Sequence, residues 1–340
     1  MKAAVLVKFG SVEQAFQIQE LPTPEPKSNE VLIKAEAFGL NYADIMAIKG
    51  MYQDCPPLPA VIGYEVVGHV EKLGPEAKGV KVGDRVVGFS RFGGYATHVV
   101  TQDRAVVQIS NEMGLSEAAA LATQYCTAYF CAIEQANIKQ GEHILIQAAA
   151  GGVGTALVQL GKWKGCVMYG TAGSEKKLQY LKEQGVQHPI NYQTSDFAEE
   201  IKKLRGDKKI DVVFDSLGGK SFKKGVGLLA AGGKIVGFGA AEMSGGSKSI
   251  FKMIKLGLNF GLYHPVYLMM KTIGIFGVNM LQIADNKPEI LERCLKSVGE
   301  LARQGVLKPV SGGVYSIDQL AEAHKLLESR QSIGKVVVKW

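Results

Sequence analysis

Over residues 1–124 the apolar positions fall in short runs broken by glycine and proline. Val31–Ala37, Val66–Leu73 and Arg85–Phe89 read as strands, parted by turns such as Leu73-Gly74-Pro75 and Val82-Gly83-Asp84. Met1–Lys8 reads as another. Several short strands at this spacing predict a β-rich, barrel-like unit. The pattern changes at Ala118. Ala118–Gln135 is Ala-rich and predicts a helix. Beyond it, strands at His143–Ala148, Cys166–Thr171, Asp211–Asp215, Lys234–Phe238 and Thr272–Val278 alternate with helices at Gly152–Lys164, Glu175–Gln184, Phe197–Leu204 and Ser221–Leu229. Such alternation predicts a doubly wound parallel sheet. Helices return at Lys287–Gln304 and Ile317–Ser329 before a last strand, Lys335–Lys339. The fold class is therefore α/β, with a β-rich domain of residues 1–124 and 282–340 and a doubly wound domain of residues 125–281. A length of 340 residues suits two domains at roughly 100–200 residues each.

Composition excludes several classes. The apolar fraction of 46% and charged fraction of 21% are those of a globular chain rather than a disordered one. Five scattered cysteines, with no C-x-x-C, argue against a disulfide framework or a zinc ribbon and fit a reducing, cytoplasmic setting. The charged start, Met1-Lys2-Ala3-Ala4, does not read as a signal peptide, and no long uncharged apolar run predicts a membrane span. A net charge of +7 is mild. The cluster Lys202, Lys203, Arg205, Lys208 and Lys209 reads as a solvated helix end, and no aromatics interleave with basic residues as nucleic-acid binding would need. Glycine is abundant, 41 of 340 residues, against a usual ~7%.

Those glycines concentrate where chemistry is expected. Ile144–Ala148 runs as a strand into Ala149-Ala150-Gly151-Gly152-Val153-Gly154 and then a helix. Small residues let the backbone approach a pyrophosphate, and a helix start offers N–H donors and a favourable dipole. The alternative is close helix–sheet packing alone. The next strand normally ends in an acid that binds the ribose of NAD. Here it ends Thr171-Ala172-Gly173-Ser174, and Glu175 is followed by Lys176 and Lys177. A missing acid beside lysines suits a 2′-phosphate, so NADPH is expected over NADH. The alternative for the lysines is an ordinary exposed helix face.

Ala148–Gly154, with Gly39-Leu40-Asn41-Tyr42-Ala43-Asp44, Gly63-Tyr64-Glu65 and Gly83-Asp84-Arg85-Val86, resembles the medium-chain dehydrogenase/reductase superfamily. The resemblance is closer to its zinc-free quinone oxidoreductases, and within them to the vesicle amine transport protein branch. It spans essentially the whole chain and implies a GroES-like catalytic domain, a Rossmann domain and commonly a homodimer. Zinc-dependent relatives carry Cys at the position of Asn41 and His at that of Tyr64, so no metal is expected; His69 and His98 read as strand residues. Gly173, Lys177 and Tyr192 match positions around the adenosine 2′-phosphate, and Arg330 another phosphate partner. Asn41 and Thr127 match positions near the nicotinamide. Gly237-Phe238-Gly239 and Phe276-Gly277-Val278 match strand ends where that ring rests, although Phe276 also reads as core.

Without a Lewis acid, the easier chemistry is hydride addition to a quinone or to the β-carbon of an enone. Asn41, Tyr52 and Tyr64 are the candidate hydrogen-bond donors to the substrate oxygen. Tyr52 resembles a substrate-pocket tyrosine of the quinone reductases. Asp44 reads either as orienting Asn41 or as capping a helix. The apolar stretch Ser249–Met270, broken at His264-Pro265 and carrying several lysines, suggests a dimer flank, a wall for a bulky apolar substrate or a peripheral membrane contact. The expected activity is NADPH-dependent, zinc-independent reduction of quinones or α,β-unsaturated carbonyls. The alternative is a lipid- or membrane-associated binding protein that retains an NADPH site.

Overall fold

The computed structural model describes residues 1–206, 209–241, 257 and 259–340. The chain divides into two units, Met1–Cys126 with Met280–Trp340, and Thr127–Asn279.

In the first unit the strand Glu30–Gly39 organises a seven-stranded sheet. It runs antiparallel to Glu65–Leu73 and Lys335–Lys339 and also pairs with His98–Gln102. Arg85–Phe89 and Val106–Gln108 extend the sheet on one side and Ser311–Ser316 on the other. Val31, Leu32, Ile33, Ala35, Ala37 and Phe38 are all buried, so this strand is covered on both faces. Register shifts at Leu32/Ile33 and Ala35/Ala37 bend it as bulges do. A smaller sheet joins Phe16–Glu20, Lys2–Leu6 and Ala60–Val61.

The second unit holds six parallel strands in the order His188–Asn191, Val167–Ala172, His143–Ile146, Ile210–Asp215, Leu229–Gly237, Gly274–Gly277. The chain starts in the middle, winds outward to one edge, then returns to build the other. This is the doubly wound α/β arrangement the alternation predicts. Its switch point lies between His143–Ile146 and Ile210–Asp215, and such sheets bind ligands at the strands' carboxyl ends. Leu145, Tyr169, Val213, Phe222 and Ile235 form part of the core between sheet and helices. Helices Gly152–Lys164 and Glu175–Gln184 keep their predicted bounds, because Gly165 and Gly185 close them in left-handed conformations (φ 72° and 94°).

Several boundaries differ from expectation. The strand predicted to reach Ala148 stops at Ile146, because Ala148 turns the chain. The helix predicted over Ser221–Leu229 is Gly219–Gly227, since Leu229 already pairs with Ile210 in the next strand. The Ala-rich stretch begins at Leu115 and alternates α turns with π turns at Leu121–Tyr125 and Phe130–Gln135. His264 caps a short helix, Pro265–Lys271, with proline in its first turn, where its missing N–H costs nothing. Lys208 and residues 249–256 and 258 of the apolar stretch lie outside the described residues. Among the described residues no helix is long and apolar enough to cross a membrane.

Candidate functional site

The phosphate cradle of the second unit is built from its first strand. After Ile146 the chain turns at Ala148, whose φ of +51° is uncommon for a residue with a side chain. Thr171 on the neighbouring strand fixes the turn. Its Oγ1 accepts from the Ala148 N–H at 3.0 Å and donates to Gln147 Oε1 at 2.7 Å. Its carbonyl accepts from the Ala149 N–H at 2.9 Å. Gly151 then caps the helix Gly152–Lys164, whose first turn carries no acid. A Cβ on Gly154 would overlap the Ala148 carbonyl oxygen and stand 2.7 Å from Ala149 Cα. Helix and turn therefore pack too closely for any side chain there. Ala149, Gly151, Gly152, Val153 and Gly154 leave the helix's N–H groups and its positive dipole end open to an anion.

The tip of the next strand, Val167–Ala172, carries Gly173 and Ser174 in place of an acid. Ser174 caps the helix Glu175–Gln184 by accepting from the Lys177 N–H. Tyr192 lies over the tip, since a Cβ on Gly173 would meet its hydroxyl at 2.5 Å. Glu175, the nearest acid, accepts from Asn191 Nδ2 at 3.2 Å. Lys177 is half-buried, and desolvation pulls its ammonium below the usual lysine range. A bound anion would reverse that shift. Along the same carboxyl edge, the Phe238 N–H donates to the Asp215 carbonyl at 3.0 Å and the Val278 N–H to that of Gly237 at 2.9 Å. Gly239 follows, close enough to Ser216 that a Cβ would stand 2.7 Å from its carbonyl oxygen. Phe276 folds its ring back over Gly274, so it presents backbone rather than ring at the strand's end. Thr127 is buried at the unit's start.

The first unit holds a buried polar cluster. Glu65 and Lys335 are both fully buried and form an ion pair. The Lys335 ammonium also donates to Asn41 Oδ1 at 2.9 Å and to the Leu40 carbonyl at 3.0 Å. Asn41 Nδ2 turns to both Glu65 oxygens, at 2.9 and 2.8 Å, and Thr123 donates its hydroxyl to the same carboxylate. Carboxylate on one side and ammonium on the other dictate which end of the amide is which. The Asn41 amide is thus fixed between carboxylate and ammonium: one of its N–H bonds is shared by the two Glu65 oxygens, and the other is not used by this cluster.

Tyr52 and Tyr64 are the other two candidate donors. Their rings meet edge to face, centroids 6.2 Å apart at 78°. Tyr64 is buried and also packs on Phe92, at 5.3 Å. Burial pushes the Tyr52 hydroxyl up to about 12 and the Tyr64 hydroxyl further, so both are protonated at neutral pH and can only donate cleanly to a developing oxyanion. Arg330 belongs to this unit, where its guanidinium lies 6.0 Å over the Tyr42 ring. His69 and His98 sit on strands beside Glu36 and Glu71, at 3.1 and 3.2 Å. Glu65 was legible only through its motif, whereas Lys335 and Thr123 carried no sequence signal.

Comparison with known proteins agrees with this architecture. Residues 27–111 match the family model described as alcohol dehydrogenase GroES-like domain, and residues 152–296 the one described as zinc-binding dehydrogenase. The chain belongs to the medium-chain dehydrogenase/reductase superfamily of oxidoreductases. Within it, the chain stands close to the synaptic vesicle membrane protein VAT-1 homologs and to quinone oxidoreductase. The VAT-1 homolog of Danio rerio is 33% identical over 99% of this chain and 69% of its own length. Quinone oxidoreductase of Homo sapiens is 30% identical over 99% of this chain and 97% of its own. A mycobacterial protein solved as a complex with NADPH superposes with a TM-score of 0.86, at 26% identity over 100% of both chains. The zinc in the second description does not fit here. Among the described residues no three His, Cys, Asp or Glu side chains come together as a metal site, and Glu65 is already neutralised by Lys335.

Proposed function

We propose that this chain is an NADPH-dependent, zinc-independent reductase of quinones or α,β-unsaturated carbonyls. The observation that carries the reading is the tyrosine pair: Tyr52 and Tyr64 pack edge to face with hydroxyls that stay protonated and can donate to a substrate oxygen, while the Glu65 carboxylate is already neutralised by Lys335. Hydrogen-bond donors are enough for a quinone or an enone, because the charge of the added hydride spreads onto oxygen by conjugation. When bound, the cofactor supplies the hydride. The residues from Ala149 to Gly154 would hold its pyrophosphate, and Gly173, Ser174, Lys177 and Tyr192 its 2′-phosphate. Thr127, Phe238, Gly239, Phe276 and Val278 are the proposed contacts nearer the nicotinamide. The cysteines are all free, which supports a reducing, cytoplasmic setting. The outer edge of Gly274–Gly277, last in its sheet order, supports a homodimer.

The test is NADPH oxidation with a panel of quinones and enones. Tyr52→Phe is expected to lower kcat roughly 10–100-fold with the NADPH Kd unchanged. A panel in which nothing oxidises NADPH sinks the reading; unchanged turnover in the variant removes Tyr52 from it. Lys177→Ala is expected to weaken NADPH by roughly 10–100-fold, the worth of a charge-assisted hydrogen bond, and to leave NADH nearly unaffected. Fluorescence titration with both cofactors decides, and equal losses would assign Lys177 a role other than reading the phosphate.

A second reading, a lipid-associated protein with a retained nucleotide site, is favoured by one feature. Leu262 and Met270 are 88% and 80% exposed, with Val266, Tyr267 and Met269 also exposed beside Lys271. An apolar surface edged by lysine suits an anionic bilayer. Flotation with anionic liposomes distinguishes this role from the first.

A further inference from the structure

One acid stands beside the proposed 2′-phosphate site and is tied down. Glu175 opens the helix Glu175–Gln184 and is exposed, just past the strand tip at Gly173 and Ser174. The neighbouring strand, His188–Asn191, runs parallel and ends level with that tip, Asn191 opposite Ala172. There Asn191 Nδ2 donates to Glu175 Oε1 at 3.2 Å. Its Oδ1 accepts the Gln193 N–H at 3.0 Å, and its carbonyl accepts that of Ser195, also at 3.0 Å. A backbone N–H can only donate and a carboxylate only accepts, so the two side-chain contacts fix which end of the amide is which. Between Asn191 and Gln193, Tyr192 donates its own N–H to the Ala172 carbonyl at 3.1 Å and brings its hydroxyl over Gly173.

The placing of this acid matters, because a carboxylate at such a tip binds the ribose of NAD and repels the phosphate of NADPH. Lys176 and Lys177 follow Glu175 directly on the same helix. The same few residues therefore carry charge that attracts the phosphate and charge that opposes it. Left loose, the long Glu175 side chain is free to rotate over the tip, against a phosphate and toward a ribose hydroxyl. Held at the end of His188–Asn191, it is kept from both. The turn at Asn191 does not account for that contact. A serine would accept the Gln193 N–H in the same way, so the turn alone asks for no donor reaching to Glu175.

We propose that Asn191 is a selectivity-determining residue of the cofactor site: by tethering Glu175 to the end of its strand it keeps that carboxylate off the 2′-phosphate, so that NADPH is taken in preference to NADH. The inference rests on the NADPH reading given above. Asn191 itself need not touch the cofactor. It is a positioning residue that acts through Glu175.

Asn191→Ser is the test variant, because a hydroxyl can still accept the Gln193 N–H but is too short to hold Glu175. Fluorescence titration should show NADPH weakened roughly 3–10-fold, with NADH unchanged or tighter. Glu175→Gln alone should leave the NADPH Kd within about twofold. Added to Asn191→Ser, it should bring NADPH back to within about twofold of the unaltered protein, because the released side chain no longer carries a charge. A merely disturbed turn would not be repaired in that way. In ~1 M salt, where charges are screened beyond about 3 Å, the gap between Asn191→Ser and the unaltered protein should close. The proposal is overturned if the double variant binds NADPH as weakly as Asn191→Ser, or if Asn191→Ser loses both cofactors equally. If the unaltered protein binds NADH as tightly as NADPH, the NADPH reading falls and the proposal with it. A preference for NADPH that Asn191→Ser leaves intact overturns the proposal alone.

Discussion

Lys335→Met is expected to cost about 3–5 kcal/mol of stability, the usual loss when one partner of a buried ion pair is removed. Methionine keeps much of the lysine stem's volume, so lost packing is a minor part. The loss comes from what is left behind. Glu65 would keep the hydrogen bonds of Asn41 and Thr123 but lose the Lys335 cation, and the Leu40 carbonyl and Asn41 Oδ1 would lose a donor. Nor can the site collapse or admit another group easily, because a Cβ on Gly39 would already overlap both side chains. Urea unfolding of Lys335→Met, Glu65→Met and the double variant checks the cause. The double variant should lose less than the sum of the singles, since it strands no charge. Strict additivity would show that the pair is not what holds these strands.

The same cluster marks where the sequence stops being readable. The glycine-rich turn was legible because everything it needs is local: a strand, small residues and a helix within Ile144–Lys164. The missing acid at Gly173–Ser174 was equally local. The polar cluster is not. Lys335 meets Asn41 across 294 positions, and in Gly334-Lys335-Val336-Val337-Val338 it reads as an ordinary lysine opening a strand. Tyr95 and His324 meet across 229. No periodicity carries such pairings, because they depend on which strands the fold makes neighbours. Asn41 shows the consequence. Its motif marked it as a candidate donor, yet its amide faces a carboxylate whose own partner, Lys335, lies at the far end of the chain. The π turns at Leu121–Tyr125 and Phe130–Gln135 were hidden for another reason: an Ala-rich pattern fits one helical register as well as another.

Gly154→Val is expected to weaken NADPH binding by roughly 100-fold, through strain of about 1–3 kcal/mol in an overpacked contact. The obstacle is backbone, which cannot rotate away. The Ala148 carbonyl and Ala149 are held from behind by Thr171, through the hydrogen bonds to the Ala148 and Ala149 N–H groups. Relief can come only if the helix Gly152–Lys164 lifts off the turn. That movement withdraws the first-turn N–H groups from the place where a pyrophosphate would sit, so binding should suffer more than folding. Gly154→Ala should show the same loss in smaller measure. Gly227→Ala is the matched control, because a Cβ there meets nothing within 4 Å and the position closes a helix that alanine favours. Fluorescence titration with NADPH gives the affinity, and thermal unfolding of the same samples separates it from global damage. If Gly154→Val binds as tightly as the unaltered protein, the turn is only a packing joint between helix and sheet, and the dinucleotide must be held elsewhere.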